Sequence, residues 1–159
     1  MSQSAIDQST NNESPGAIVS ADDVAQMAND LFTAMLALPF DPTPRDSFDP
    51  TATAIQSSIQ IQGDWNAELR VTAPHELASE IACNMFGLEG EEISKSDIFD
   101  AMGEIVNVIG GNAKGVVDRD CKLSLPCVDD FRELLETPTL TTTFECMNHP
   151  ITIQLHEKN

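Results

Sequence analysis

The sequence contains no tyrosine, one tryptophan and only eight lysine and arginine residues among 159. Aspartate and glutamate number 26, so the formal net charge is −18. We therefore expect neither nucleic acid nor a membrane surface as a partner, because both are anionic and are bound through clustered lysine and arginine side chains. The scarcity of aromatic residues also argues against a deep aromatic pocket.

The sequence also lacks long apolar runs. No segment approaches the length of a membrane span, and no basic region followed by an apolar run marks a secretory signal. We therefore expect a cytoplasmic protein, in which Cys83, Cys121, Cys127 and Cys146 are buried thiols rather than disulfides. We expect no metal site, because Cys121, Cys127, Cys146 and His149 include no close Cys-x-x-Cys pair.

The chain divides into a tail and one domain. Residues 1–19 are rich in Ser, Gln, Asn and Gly, a composition typical of disorder. Residues 20–159 are long enough to enclose the core of a single domain. Four prolines between Pro39 and Pro50 exclude a helix or a central strand from that stretch.

The periodicity of apolar residues predicts both helices and strands in residues 20–159. They indicate an α+β fold, in which long amphipathic helices pack on one face of an extended, largely antiparallel sheet. The predicted helices run from Ser20 to Pro39, from Pro74 to Gly87 and onward from Ser94 or Ser96, with a short one over 129–136; the predicted strands are 52–62, 65–72, 117–125, 139–146 and 150–156.

The third predicted helix carries an unusual polar stripe. Asp100, Glu104 and Asn107 are spaced i, i+4 and i+7, so they fall within roughly 60° of one another on one helix face. The opposite face has the regular apolar spacing of a core-facing surface. Taken without further information, Glu104 and Asn107 are best explained as part of a solvated helix face.

Glycines accompany this stripe, although each costs up to about 1 kcal/mol of helix stability relative to alanine. Gly111 shares the stripe, and Gly103 and Gly110 flank it. A surface poor in side chains around Glu104 and Asn107 suggests that another molecule approaches closely. Tight packing of a neighbouring element is the alternative explanation.

The first helix repeats the spacing. Asp22, Gln26 and Asn29 stand at i, i+4 and i+7, with glutamine where the third helix has glutamate. The two copies suggest a duplicated unit of a helix with strands. We expect the first copy to be vestigial.

The string DAMGEIVNVIGGNAKG followed by CKLSLPCV resembles the CheX-like branch of the CheC/CheX/FliY family of chemotaxis phosphatases. Asp100, Glu104, Asn107 and Pro126 match the motif of that family. A single intact motif favours the CheX-like branch. The resemblance implies a CheX-like fold, a phosphatase that acts on a phosphorylated response-regulator receiver domain in two-component signalling, and often a homodimer.

This resemblance suggests a role for each residue of the motif. Asn107 would orient the attacking water, since a carboxamide both donates and accepts hydrogen bonds. Glu104 would pair with a cation of the receiver, while Asp100, Gly103, Gly110 and Gly111 would contact it. Pro126 would shape a strand end and support the site indirectly.

We expect no cofactor in this chain, and Mg²⁺ only in the partner receiver domain. Two other functions stay open from the sequence. One is a non-catalytic adaptor of the same fold that binds a receiver domain or a partner like those of the flagellar switch. The other is a small-molecule sensor. Asp100 also has a structural alternative, since an acidic residue in the first turns of a helix complements the helix dipole.

Overall fold

The computed structural model describes residues 11–13, 18–46, 53–132 and 136–158. Within these ranges the chain forms eight strands and three α-helices. In chain order the elements are β1 (Asn11–Glu13), α1 (Ala21–Asn29), a π-helical turn (Asp30–Met35), β2 (Phe40–Arg45), β3 (Ile55–Gly63), β4 (Ala67–Ala73), α2 (His75–Phe86), a 3₁₀ turn (Gly90–Glu92), α3 (Lys95–Val117), β5 (Cys121–Leu123), β6 (Cys127–Asp130), β7 (Leu140–Cys146) and β8 (His149–Glu157).

Helix α3 has a defined start and end. The Ser94 hydroxyl accepts a hydrogen bond from the Asp97 N–H (3.1 Å), and the Asp97 carboxylate accepts one from the Ser94 N–H (3.0 Å), which forms a capping box. The helix ends at Asp118, whose φ of 57° leaves the right-handed helical region. Of the two predicted caps, Ser94 is therefore the one used.

All strands belong to one sheet, and every strand pairing in the described ranges is antiparallel. The central order is β7–β8–β4–β3. One edge is completed by β1 and β2, which pair with different parts of β7, and the other by β5 and β6, which pair with different parts of β3. This arrangement confirms the predicted α+β fold.

The helices cover the apolar face of the sheet. Helix α3 packs across β3, β4, β5 and β6, α1 packs on β2 and β7, and α2 packs against α3. Paired residues of the central strands place apolar side chains in rows under the helices, for example Ile59 beside Leu69 and Leu69 beside Leu155. The side chains that face these rows from α3 are all buried: Ile98, Ala101, Met102, Ile105, Val106, Ile109 and Ala113.

Three predicted elements have different bounds or a different type. The helix predicted from Ser20 to Pro39 changes to a π-helical turn after Asn29 and ends at Met35. The strand expected over 117–125 is limited to β5, because α3 continues through Val117. The helix expected over 129–136 is wrong at its start, where β6 pairs with β3 and places Asp130 beside Ile55. Residues 133–135 lie outside the described residues.

The N-terminal prediction is tested only in part. Ser20 and Asp23 form a capping box at the start of α1, so this helix begins where it was predicted. Of the predicted tail 1–19, residues 1–10 and 14–17 lie outside the described residues. The short strand Asn11–Glu13 pairs with β7, and Val19 is buried in the core, so the ordered structure begins before Ser20.

The cysteines are free thiols in different environments. Cys121 and Cys146 are buried and Cys83 is half-buried, but Cys127 is exposed, so the prediction of a buried thiol is wrong at that position. Burial, and next the Glu80 carboxylate, raise the pKa of the Cys146 thiol to about 12. That thiol therefore stays protonated and unreactive at physiological pH.

Candidate functional site

Helix α3 presents the predicted polar stripe to solvent. Asp100, Glu104 and Asn107 are all exposed on its outer face, opposite the buried apolar residues. Across the described part of the chain, none of these three side chains has a hydrogen bond or an ion pair with another protein group. Two carboxylates and a carboxamide are therefore available to a partner.

The loop between β5 and β6 forms a second wall beside this stripe. Both strands pair with β3, so the connecting residues 124–126 are held next to the sheet. Ser124 anchors them: its N–H donates to the Gln60 carbonyl and its hydroxyl accepts from the Gln60 N–H, each at 2.9 Å. The same hydroxyl donates to the Leu125 carbonyl at 3.0 Å.

The stripe and the loop enclose an open groove of about 540 Å³. The structure thus brings four of the six predicted site residues, Asp100, Gly103, Glu104 and Asn107, together with Pro126. Four further residues line the groove that were not predicted as site residues from the sequence: Phe99, Ser124, Leu125 and Val128. The sequence could have indicated Ser124 and Leu125 as site residues, because both belong to the LSLP string and directly precede Pro126, which matches the family motif.

The glycines of α3 have different environments. A Cβ atom added at Gly103 would lie 3.5 Å from the Pro126 side chain, and one at Gly110 would lie 3.1 Å from the Ile59 side chain. Gly110 is buried against Ile59 of β3, which agrees with the alternative explanation of tight packing by a neighbouring element, and its contact with a partner stays a prediction. Gly103 is also buried but lines the groove, while Gly111 is exposed with open space around it.

The groove is acidic. Its ionisable side chains are the carboxylates of Asp100 and Glu104. The Lys95 ammonium lies one turn earlier on α3, 5.3 Å from the centre of the Phe99 ring, in a cation–π contact at the margin of the groove. A partner that fits the groove should therefore bring positive charge to it.

The second copy of the spacing, on α1, differs in how its side chains are engaged. The Gln26 amide donates to the Asp30 carboxylate at 2.8 Å, and the Asn29 side-chain oxygen accepts from the Thr33 hydroxyl at 3.1 Å. Both side chains thus have partners within their own helical segment. Their counterparts on α3 do not, which supports the interpretation of this copy as vestigial.

Two general properties of the described ranges bear on the surface. No helix there is both long enough and apolar enough to span a membrane. In the same ranges, no three His, Cys, Asp or Glu side chains come together in a way that could hold a metal ion.

A model of one protein family matches the central part of the chain. The model of the family described as chemotaxis phosphatase CheX matches residues 55–146, which include the α3 stripe and Pro126. Comparison with curated proteins gives no significant sequence match.

Solved structures with the same fold cover nearly the whole chain. CheX from Vibrio vulnificus is 19% identical with a TM-score of 0.70, over 90% of this chain and 99% of that one. A CheX from Desulfovibrio desulfuricans is 17% identical with a TM-score of 0.68, and the match covers 87% of this chain and 98% of that one. A chain of the CheX–CheY–BeF₃–Mg²⁺ complex from Borrelia burgdorferi is 12% identical with a TM-score of 0.67, and the match covers 89% of this chain and 99% of that one.

At these identities the structural likeness establishes the fold. The family itself follows from the sequence model, because the stretch that it matches, residues 55–146, is more than half of the chain and includes every residue that lines the groove. The chain therefore belongs to the CheX family of chemotaxis phosphatases.

Proposed function

We propose that this chain hydrolyses the aspartyl phosphate of a response-regulator receiver domain, which docks in the groove of α3. The observation that carries the proposal is that Glu104 and Asn107 line one groove, where both side chains are exposed and neither has a partner within the described part of the chain. Family membership supports it, as does the complex of CheY with a structurally similar CheX. The proposal includes the cytoplasmic location for which the composition argued.

Hydrolysis of an aspartyl phosphate requires mainly that the protein position the reacting groups. An aspartyl phosphate is a reactive acyl phosphate, so hydrolysis needs a water in line with the phosphorus and stabilisation of the developing charge. The Asn107 carboxamide can accept a hydrogen bond from that water and donate one to a phosphoryl oxygen. We assign Asn107 to orient the water on this basis.

Glu104 has a complementary task. It lies one turn before Asn107 on the same face, and no cation within the described part of the chain neutralises it. An ion pair with a lysine of the receiver would fix the register in which the phosphorylated aspartate faces Asn107. Asp100, one turn further toward the helix start, would contact the receiver at the end of the same stripe. Gly111, which is exposed with open space around it, would let the backbone of the receiver approach, whereas Gly103 faces Pro126 and Val128 and shapes the groove.

The cation that phosphoryl transfer needs would come from the receiver. Mg²⁺ in proteins takes carboxylates and water together with phosphate oxygens. We propose that the Mg²⁺ is held in the receiver domain beside the phosphorylated aspartate, and that this chain contributes the carboxamide and the carboxylate.

The test is catalytic turnover. Receiver domains of the same organism, each charged with acetyl phosphate and Mg²⁺, are incubated with the protein at one-tenth of their concentration. We expect at least one receiver to release many equivalents of phosphate per molecule of protein, faster than it does alone. Stoichiometric binding of a receiver without accelerated release would instead support the adaptor function.

The homodimer stays a prediction that rests on the family resemblance. The two C-terminal strands offer no free edge for it, because β8 lies between β7 and β4, and β7 is flanked by β8, β1 and β2. Any dimer through the sheet would therefore use β1 and β2 or β5 and β6. Light scattering at tens of micromolar should give twice the monomer mass of 17.2 kDa; the monomer mass would contradict the prediction.

A further inference from the structure

Leu125 is the most exposed large apolar side chain in the described part of the molecule. Its exposed fraction is 87%, compared with 63% for Met35 and 44% for Phe86. Single exposed apolar residues are common on protein surfaces and need no explanation by themselves. Leu125 differs in two respects: the backbone on either side of it is fixed by hydrogen bonds and packing, and its side chain lines the groove.

The backbone on both sides of Leu125 is fixed. Ser124 exchanges hydrogen bonds with Gln60 of β3, and its hydroxyl donates to the carbonyl of Leu125 itself. On the other side, Pro126 packs against α3 at Gly103, where an added Cβ would be 3.5 Å away. The proline ring also restricts the backbone of the preceding residue. The leucine side chain is thus held out to solvent by a rigid loop.

Leu125 lines the same groove as Asp100, Glu104 and Asn107. A receiver domain that places a cation at Glu104 would therefore lie beside Leu125 as well. Burial of an apolar side chain is favourable because its surface leaves water, and a backbone that is already fixed lowers the entropy lost on binding. A few side chains that fill well-packed pockets, surrounded by contacts that exclude water, contribute most of the binding energy of an interface.

We propose that Leu125 is an apolar anchor that inserts into a recess of the receiver domain next to the cation recognised by Glu104. It would set the position of the receiver along α3 and so select among receivers. This inference rests on the proposed function, and it adds the kind of surface that the receiver must offer: an apolar recess with positive charge beside it. Leu125 is a positioning residue and takes no part in the chemistry.

The experiment compares Leu125→Ala and Leu125→Met with the unmodified protein, using the receiver that is turned over fastest. Steady-state phosphate release gives kcat and KM, and titration of the beryllofluoride-charged receiver gives Kd. We expect Leu125→Ala to raise KM and Kd roughly 10- to 50-fold, the scale of an apolar anchor lost from an interface, with kcat within about twofold. Leu125→Met should restore both constants to within about threefold, because its volume is similar.

Met35→Ala is the matched control, since it truncates a largely exposed apolar side chain outside the groove. We expect it to leave KM, Kd and kcat unchanged. Thermal melting of each variant verifies folding, which truncation of an exposed side chain should not disturb.

The outcomes separate this inference from the proposed function. If the unmodified protein turns over a receiver and Leu125→Ala leaves KM and Kd unchanged, the anchor is refuted and the phosphatase stands. If kcat alone falls, Leu125 acts in the reaction and the anchor is again refuted. If the protein binds a receiver without turnover and Leu125→Ala weakens that binding, the anchor stands and the phosphatase fails. If no receiver binds, both are refuted.

Discussion

Asn107→Ala is expected to lower kcat for phosphate release by about 100-fold or more, while binding of the charged receiver is kept. The reason is that a hydrogen bond to the attacking water contributes mainly in the transition state and little in the docked ground state. The rate is measured at saturating receiver, and binding with the beryllofluoride-charged receiver, which is not hydrolysed.

The chain contains a matched control for this variant. Asn29 occupies the corresponding position of α1, but its side-chain oxygen accepts a hydrogen bond from Thr33. Asn29→Ala should therefore leave kcat and Kd unchanged. Equal kcat for Asn107→Ala and the unmodified protein would refute the role of Asn107 and favour an adaptor.

Glu104→Ala should weaken both binding and turnover, in contrast to Asn107→Ala. We expect Kd to rise about 10-fold or more and kcat to fall as well, because an interfacial ion pair contributes to affinity and to register. The difference in Kd between variant and unmodified protein should shrink as the salt concentration rises toward about 1 M, where charge interactions are screened.

Glu92→Ala tests whether the loss is specific. It removes one exposed negative charge in the 3₁₀ turn, outside the groove. Against a net charge of −18, that removal should change Kd little. If Glu104→Ala has no larger effect than Glu92→Ala, the ion pair with the receiver does not exist.

Neither Asn107→Ala nor Glu104→Ala should unfold the protein. Both side chains are exposed and have no partner in the described part of the chain, and such substitutions usually change stability by less than about 0.5 kcal/mol. The kinetic effects can therefore be attributed to the groove.

The local features of the fold could be predicted because short-range signals specify them. Residue types with clear conformational preferences mark several of these features. Serines cap two helices, at Ser20 and Ser94, and glycines stand at the hairpin turn after β3 and at the left-handed end of α2, at Gly63 and Gly87. The apolar stripe of α3 likewise predicted its buried face. These signals are sufficient to place Glu104 and Asn107 on the outer surface.

Features that depend on distant pairing were harder to predict. The expected helix at residue 129 is a strand because β3, which is far away in sequence, offers its edge there, and no local pattern reveals that edge. The burial of Gly110 has the same cause, since the neighbouring Ile59 belongs to β3. The π-helical turn after Asn29 was not predicted, because no residue type or spacing in that segment distinguishes it from an α-helix.

The candidate site shows both situations. The half that lies on α3 follows from helical spacing alone. The other half, the wall formed by Ser124, Leu125 and Pro126, approaches α3 only because β5 and β6 both pair with β3. The resemblance singled out Pro126, but the exposure of Leu125 became visible only once the wall and the helix were placed together.

The position of β8 in the sheet has a consequence for folding. β8 is the last strand of the chain, yet it lies in the middle of the sheet and pairs with β4, for example through Val71 beside Ile153. Contacts this distant in sequence cost loop-closure entropy before they stabilise anything, and they slow folding. A nascent chain therefore cannot complete the centre of the sheet until this strand has left the ribosome, and until then the edges of β4 and β7 that face β8 have no partner strand.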